Sequence, residues 1–434
     1  MILTDEQERA KDGIINWYYN QPDKQVFCLA GFAGTGKTSL ISYVLRNSLG
    51  LEESEYAFCT PTGKASTVLI SKDVDSKTIH RLMYTPVDTE EKIVDKETGE
   101  TLIKRNVKFI KKTHLNYKLI IVDEFSMVDS KIFEDLCSYN IKILAVGDNG
   151  QLPPVNGPLL DCLKKPDAQL IKILRQNDGS MILRVAEMAR NGVWIRYGNY
   201  GNDVVVYDKK TLTDEQLMTL CLNADQVIAG RNITCKEINN KMRSKLGFTT
   251  EYPTRGDKIM CLQNNYYLDL GKNFSLTNGL IGKCTSYTRA GTEENPLAVI
   301  GFEPELTKLN VDDIVINPYL FTDQKSKYEH FQLIYRLPRR KYVAKIALGK
   351  RPAGMTINEY RDIVREEIKN RNRALETLTL NEFNFGYCIS CHKSQGSEWD
   401  SVVIIDESFC FGDLRNNWLY TAITRAKKRC IIIK

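Results

Sequence analysis

The chain has 434 residues, of which 42% are hydrophobic and 26% charged, and a formal net charge of +6. These proportions are those of a soluble globular protein, too long for one core, and about three or four domains would be ordinary. The mild basic excess permits a polyanionic partner without requiring one.

The 12 cysteines sit largely in apolar runs such as Ala57-Phe58-Cys59 and Arg429-Cys430-Ile431, the pattern of reduced, buried thiols rather than a disulfide framework. No amino-terminal stretch reads as a signal peptide and none approaches membrane-spanning length, so the expectation is a cytoplasmic protein with no membrane partner.

In chain order, Leu3-Thr4-Asp5-Glu6-Gln7 reads as a helix start, with Thr4 as N-cap and Gln7 three positions on completing a capping box. Helical periodicity continues through Ala10, Ile14, Ile15 and Tyr18. Val26 to Ala30 is a short apolar strand. It runs into Gly31-Phe32-Ala33-Gly34-Thr35-Gly36-Lys37-Thr38-Ser39, and a helical pattern follows from Leu40. Strand, glycine-rich loop and helix carry the spacing of a phosphate-binding P-loop. Gly34 and Gly36 let backbone amides approach phosphate oxygens, and the helix N-terminus adds positive dipole character there. Lys37 supplies a cation for the β- and γ-phosphates, and the Thr38 hydroxyl is a Mg²⁺ ligand. The sequence therefore predicts binding of a nucleoside triphosphate.

Glu55 to Cys59 is a strand leading into the loop Thr60-Pro61-Thr62-Gly63-Lys64. Ser76-Lys77-Thr78-Ile79-His80 precedes a polar insert from about Tyr84 to Lys112. Within it Lys92-Ile93-Val94 and Thr101-Leu102-Ile103 flank Lys96-Glu97-Thr98-Gly99, the signature of a β-hairpin. Lys118 to Val122 and Ile141 to Val146 read as buried parallel strands, ending on Asp123-Glu124 and Gly147-Asp148. Acidic groups at strand carboxyl ends describe a doubly wound α/β domain with its site at that edge. Downstream of a P-loop, Asp123 is the expected Mg²⁺ ligand and Glu124 the residue that polarises attacking water. Gln151, past the next strand end, is a candidate γ-phosphate sensor.

The pattern repeats with a strand at Asp225 to Ala229, a helix at Ile233 to Leu246, and strands at Val402 to Ile405 and Cys430 to Ile433. A long insertion, about Thr254 to Phe383, begins with strands and turns at Asn278-Gly279 and Arg289-Ala290-Gly291. It ends in a helical pattern with Ile357, Tyr360, Val364 and Ile368 on one face. Arg175 and Arg425, outside the first domain, are candidates to stabilise charge on a γ-phosphoryl group, which would couple catalysis to cleft closure.

Together these segments resemble the superfamily-1 helicases, specifically the 5′-to-3′ branch of RecD-like and bacteriophage Dda-like enzymes. The opening through Gln7 resembles the Q motif, whose glutamine contacts adenine, and Gly31 to Ser39 is motif I. Cys59 to Ser66 resembles motif Ia and Ser76 to Leu82 motif Ib. Asp123 to Met127 is motif II, Gly147 to Leu152 motif III, and Leu174-Arg175-Gln176 the arginine-bearing motif IV. Ser390 to Trp399 is motif V, and Leu419 to Ala426 is motif VI with its finger arginine. Arg190-Asn191-Gly192-Val193-Trp194 and Leu276-Thr277-Asn278-Gly279 match the same relatives. Cys391 departs from motif V, and the hairpin shows no obvious aromatic at its tip. Cys388-Ile389-Ser390-Cys391-His392 matches a c-type haem attachment string, but it lies inside motif V, and a zinc site there would lack a second ligand pair.

The resemblance implies an α/β fold of two RecA-like P-loop domains, with a β-hairpin inserted in the first and a small β-barrel in the second. The implied division is 1–83 with 113–172 as the first domain, 84–112 as the wedge hairpin, 173–253 with 384–434 as the second domain, and 254–383 as the barrel insertion with a helix. It implies ATP and Mg²⁺ held by Gln7, Gly34, Thr35, Gly36, Lys37, Thr38, Ser39, Gly396 and Glu398. Catalytic roles fall to Lys37, Asp123, Glu124, Gln151, Arg175 and Arg425, with Thr38 and Asp123 on the metal. Pro61, Thr62, Lys64, Thr78, His80, His392 and Lys393 are the implied DNA contacts. The basic run Arg336 to Arg351 is a further candidate for nucleic-acid contact. The implied protein is a monomeric, ATP-dependent 5′-to-3′ DNA helicase acting on single strands and duplex junctions, with replication or recombination proteins as partners. If of phage origin, it would work in the cytoplasm of a bacterial host. The alternatives are a translocase that does not unwind and a nucleotide-gated binding module.

Overall fold

The computed structural model describes residues 2–94, 101–155, 157–172, 174, 180–269, 275–292, 295–306, 309–322 and 381–434. In the amino-terminal lobe, β1 (Val26–Gly31), β2 (Tyr56–Thr60), β3 (Ser76–Thr78), β6 (Leu119–Val122), β7 (Lys142–Gly147) and β8 (Ala168–Leu170) form one parallel sheet. Between β3 and β6 the chain leaves it as a hairpin of β4 (Tyr84–Val94) and β5 (Thr101–Lys111). The sheet order is β3-β2-β6-β7-β1-β8. Alternation along β1 sends successive side chains to opposite faces. Phe27 and Leu29 pack with Ile14, Trp17 and Leu40, while Cys28 and Ala30 pack with Phe125, Val128 and Leu163 on the other side. That double burial explains why β6 is apolar at every position. The predicted capping box forms: Thr4 and Gln7 close the start of the helix Asp5–Asn20.

The second lobe contributes β9 (Gly198–Tyr200), β10 (Val204–Tyr207) and β11 (Gln226–Ala229). The chain then builds β12 (Lys258–Cys261), the two-stranded ladder β13 (Asn265–Asp269) and β14 (Ser275–Leu276), and β15 (Ile281–Thr292), β16 (Asn295–Pro304), β17 (Val311–Ile316) and β18 (Phe383–Phe385). It returns as β19 (Cys388–Ser390), β20 (Trp399–Ile405) and β21 (Ala426–Ile433). The second sheet runs β19-β11-β20-β21-β10-β9, and the inserted sheet runs β17-β16-β15-β12-β18. Apart from β9, the second sheet is parallel.

The two edges of the inserted sheet are stitched together. Ile316 of β17 bridges Asn381, just ahead of β18, and the Asn381 amide donates to the Val315 carbonyl at 2.9 Å. The sheet shares its core with one face of the second lobe, where Ile259, Phe302 and Phe385 pack with Val227, Ile238 and Val403.

Asn278-Gly279 makes the expected turn, with Gly279 at φ +85°. The turn expected at Arg289-Ala290-Gly291 does not form there. Those residues continue β15, paired with Ala298, Leu297 and Pro296, and the ladder runs on to Thr292 opposite Asn295. Four further ladder pairs outweigh the weak local turn preference of an Arg-Ala-Gly string that has no proline or asparagine. The tip Lys96 to Gly99, the helix around Ile357 to Ile368 and the basic run Arg336 to Arg351 lie outside the described residues. All twelve thiols are free and only Cys410 is exposed. Among the described residues no helix is long and apolar enough to cross a membrane, and no group of three or more His, Cys, Asp or Glu could hold a metal.

Candidate functional site

The carboxyl ends of β1, β6 and β7 converge on one cleft of about 700 Å³. Gly34 and Gly36 both adopt φ +79°, the left-handed region open to glycine, and Gly36 begins the helix Lys37–Asn47. A Cβ at Gly36 would stand 3.0 Å from Nε2 of Gln7. Gln7 is buried, and its amide donates to the Thr35 carbonyl at 3.3 Å, so the residue that caps the first helix also ties it to the glycine loop. Thr35 is buried with its hydroxyl on the Phe32 carbonyl, and Ser39 is exposed. Lys37 Nζ donates to the carbonyls of Gly31 and Phe32 at 2.7 and 3.1 Å, which holds the cation over the loop.

The Thr38 hydroxyl lies 3.3 Å from Asp123 Oδ2, and Asp123 Oδ1 accepts the Glu124 amide at 2.9 Å. Burial raises the Asp123 carboxyl above its ordinary range, and burial together with the Asp123 charge pushes Glu124 up to about 7. Glu124 adopts φ +53°, left-handed for a residue with a Cβ, at a cost of about 1–2 kcal/mol. Gln151 reaches the same cleft. Its Nε2 donates to Asp148 at 3.4 Å, and its Oε1 is buried without a partner.

The opposite wall comes from the second lobe. Arg425 is 4% exposed, with Nε on the Thr421 carbonyl and its terminal nitrogens on the Ser397 carbonyl and the Thr424 hydroxyl. Its charge is felt at Glu124. Gly396, Ser397, Glu398 and Trp399 line the same space, with Glu305 from the turn after β16. The structure thus brings Lys37, Thr38, Asp123, Glu124, Gln151 and Arg425 to one cavity, together with Gly34, Gly36, Ser39, Gly396 and Glu398. Gln7 and Thr35 sit behind its glycine wall. Arg175 lies outside the described residues, although the amide of neighbouring Leu174 donates to the Gly34 carbonyl at 2.8 Å.

The residues singled out for strand contact divide. Thr62 and Thr78 cap the helices Gly63–Ile70 and Ile79–Met83, accepting from the amides of Ala65 and Arg81. Pro61 and His80 are half-buried, His80 against Tyr84 at 5.6 Å, and His392 packs on Phe411. Lys64 is buried on the cleft wall with Nζ 5.0 Å from the Trp399 ring and no hydrogen-bond partner, and burial lowers its pKa to about 7. Lys64 and Lys393 come from opposite lobes and meet around Gly279, where an added Cβ would touch the Lys64 side chain and the Lys393 carbonyl. Lys393 is partly buried, which lowers its pKa.

Comparison with known proteins matches residues 19–157 to the AAA domain model and residues 385–433 to the UvrD-like helicase C-terminal domain model. The chain is 23% identical over 475 residues to the RecBCD enzyme subunit RecD of Buchnera aphidicola (subsp. Acyrthosiphon pisum), covering 92% of this chain and 68% of that protein. It is 26% identical over 259 residues to the ATP-dependent DNA helicase dda of Enterobacteria phage T4, covering 54% of this chain and 55% of that protein. In fold it is similar to a Pif1 helicase solved on forked double-stranded DNA, with TM-score 0.50 and 19% identity, across 100% of this chain and 92% of that one.

The chain is similar to the superfamily 1B helicases in both lobes.

Sequence reasoning missed how the two lobes are joined. The Tyr420 hydroxyl donates to Asp148 Oδ2 at 2.7 Å and accepts the Ala33 amide at 3.0 Å, linking motif VI to motif III and to the glycine loop. The Leu152 amide donates to the Thr421 hydroxyl at 2.9 Å, Gln395 donates to the Leu152 carbonyl, and Asn417 donates to the carbonyls of Gly150 and Gln151. The Leu152 side chain, from the first lobe, is buried in the core of the second beside Ile182, Trp418 and Ile404. The Arg190 guanidinium sits 3.5 Å over the Phe32 ring. Tyr420, Thr421, Leu152 and Arg190 all lie inside stretches quoted as motifs, which is the signal that could have found them.

Proposed function

We propose that the chain is an ATP-dependent DNA helicase that translocates 5′ to 3′ on single-stranded DNA and unwinds the duplex ahead of it. The single observation that carries this reading is that Arg425, from the second lobe, lines the same cavity as Lys37, Asp123 and Glu124 of the first. A site built from both lobes is complete only when they are together, so filling and emptying it opens and shuts the cleft.

In this reading Lys37 and the loop amides hold the β- and γ-phosphoryl oxygens, and Gln7 marks the adenine end. Thr38 and Asp123 offer one hydroxyl and one carboxylate oxygen 3.3 Å apart. That is the sparse, hard oxygen set Mg²⁺ accepts when water and phosphate complete its shell. Bound Mg²⁺ supplies charge neutralisation across the phosphoryl oxygens. Glu124 orients the attacking water, Gln151 faces the γ-position with its unpartnered oxygen, and Arg425 steadies charge developing there. Arg175 shares that task on the strength of the resemblance.

Sheet membership supports reading 1–83 with 113–172 and 173–253 with 384–434 as two RecA-like domains. The stitched sheet supports 254–383 as the barrel insertion. The hairpin 84–112 is read as the wedge that separates strands, and Phe109 and Ile110 stand exposed on β5. Single-stranded DNA crosses both lobes near Thr62, Lys64, His80, His392 and Lys393. We read the working unit as a monomer in the cytoplasm.

Strand displacement on duplexes with a 5′ or a 3′ tail tests this. Wild type releases strand from the 5′-tailed substrate alone, and Lys37→Ala abolishes both release and ATP hydrolysis. Release from the 3′ tail would reverse the polarity. DNA-stimulated hydrolysis with no release from either substrate would leave a translocase.

A further inference from the structure

A second cavity, of about 540 Å³, lies away from the cleft and shares none of its lining. Four cationic or ionisable side chains line it, Lys77, Arg81, Lys112 and His114, beside Asn116 and Tyr117, and no carboxylate does. Local structure explains the gathering. Ser76 and Thr78 of edge strand β3 are buried, so alternation turns Lys77 outward. Arg81 is exposed on the short helix that follows. Lys112 and His114 belong to the segment leading from the hairpin back to β6. Asn116 and Tyr117 precede β6 and Ser54 precedes β2, while Lys77 pairs in register with Cys59 near the carboxyl end of β2, so the cavity runs along the β3 edge of the sheet.

Among the described residues the cations are held in place but not neutralised. Lys112 Nζ donates to the carbonyls of Arg81 and Leu82 at 3.1 and 2.9 Å, and Lys77 Nζ donates to the Tyr117 hydroxyl at 3.3 Å. Nδ1 of the exposed His114 is engaged by the Thr113 hydroxyl at 3.1 Å. Flanking lysines are treated differently: Lys111 pairs with Asp135 and Lys118 with Glu55. Lys112 is held below its ordinary pKa by burial and by the charges of Lys77 and Arg81. Fixed like charges without a counter-charge are a site for an anion, and a guanidinium beside ammonium groups matches phosphate.

We propose that this cavity grips backbone phosphates of the double-stranded arm at the base of the hairpin. The inference rests on the helicase reading, in which the tracked strand uses the carboxyl-end motifs and the hairpin stands at the junction. Lys112 follows β5 directly, so an anion seated here is beside the point of strand separation.

Arg81 has an exposed side chain with no protein partner among the described residues, so Arg81→Glu leaves the fold intact. The test is fluorescence anisotropy of wild type and Arg81→Glu on a 5′-tailed hairpin duplex and on a single strand of the tail sequence, over a range of NaCl concentrations. The variant should lose about tenfold or more in affinity for the tailed duplex at low salt. The slope of log affinity against log salt should shrink by about one, as for one lost phosphate contact. Because Arg81 lies beside His80 in the motif Ib stretch, single-strand affinity should fall too, but by much less than tailed-duplex affinity. DNA-free ATP hydrolysis should stay within about twofold of wild type, and Lys77→Gln should reproduce the pattern more weakly. Unchanged affinity for the tailed duplex would overturn the proposal while leaving the helicase reading standing. An equal loss on the single strand would overturn the assignment to the duplex arm. A wild-type chain that binds neither substrate would remove the helicase reading and this inference with it.

Discussion

Tyr420 shows how one side chain can report the state of a distant loop. Its hydroxyl is shared between a carboxylate in motif III and an amide in the glycine loop, 272 and 387 residues away in sequence. Tyr420→Phe keeps the ring against Phe32 but removes the shortest of the hydrogen bonds to Asp148, leaving those from Gly150 and Gln151, a cost of about 1.5–3 kcal/mol for a bond to a charged group. We expect kcat for ATP hydrolysis to fall severalfold with a smaller change in nucleotide affinity, measured by steady-state kinetics and equilibrium binding. Lys64 gives a pH signature. Its folded pKa, about 7, lies below the unfolded value, so between these limits the unfolded chain binds a proton that the native chain does not. Stability attributable to Lys64 therefore rises with pH from 7 toward 10. Relative to Lys64→Met, wild type should gain up to about 1.4 kcal/mol per pH unit over that window, read as the difference in urea midpoints at pH 7 and 9. The glycine loop and Asp123-Glu124 were legible in the sequence because each is a local constellation at a strand end. Tyr420's partners were not, since no spacing rule connects residues brought together only by the closing of two lobes.

The helix Gly63–Ile70 and the turn after β14 are fitted to each other at one contact. A Cβ on Gly63 would lie 2.2 Å from Cγ2 of Thr277, so the loop of motif Ia can close on the second lobe only without a side chain there. Gly63→Ala should depress ATP hydrolysis several-fold without lowering the main thermal transition, and Gly63→Ala with Thr277→Gly should recover much of the loss. A main transition that fell with the activity would mean the contact is part of lobe stability instead. Elements of this kind were readable where apolar runs and caps set them, as at β6 and at Thr4. The extent of β15 was not, because its length is set by the partner strand β16 and not by the Arg289-Ala290-Gly291 string itself. Asn381 likewise gave no sign in sequence that it closes the inserted sheet. An asparagine earns that place only when Val315 and Asn265 are at hand to bond it.

At the scale of the whole molecule, the deeply buried Leu152 side chain and a ring of hydrogen bonds help to join the two lobes. Leu152→Ala removes the apolar anchor and should cost about 2–5 kcal/mol at that contact. We expect the variant to keep both lobes folded but to sample more open arrangements, seen as a larger radius of gyration in small-angle scattering and a higher KM for ATP. An unchanged radius and KM would mean the polar ring alone holds the lobes. The two-lobe plan was legible from the repeat of strand and helix signals and from motif order, whereas the anchor was hidden inside a stretch valued for its glutamine.

The position of β21 has a bearing on synthesis. β10 is hydrogen-bonded only to β9 and to β21, which begins about 220 residues downstream of it. While the ribosome makes the intervening polypeptide, at roughly 5–20 residues per second, β9 and β10 are a lone two-stranded ribbon, marginal in water. For about 10–45 seconds the nascent second lobe therefore carries an unpaired β10 edge, with the valines Val204 to Val206 along it. Chaperone capture during translation should concentrate in that interval, and a stall before residue 426 should yield a product with a finished first lobe and an aggregation-prone second.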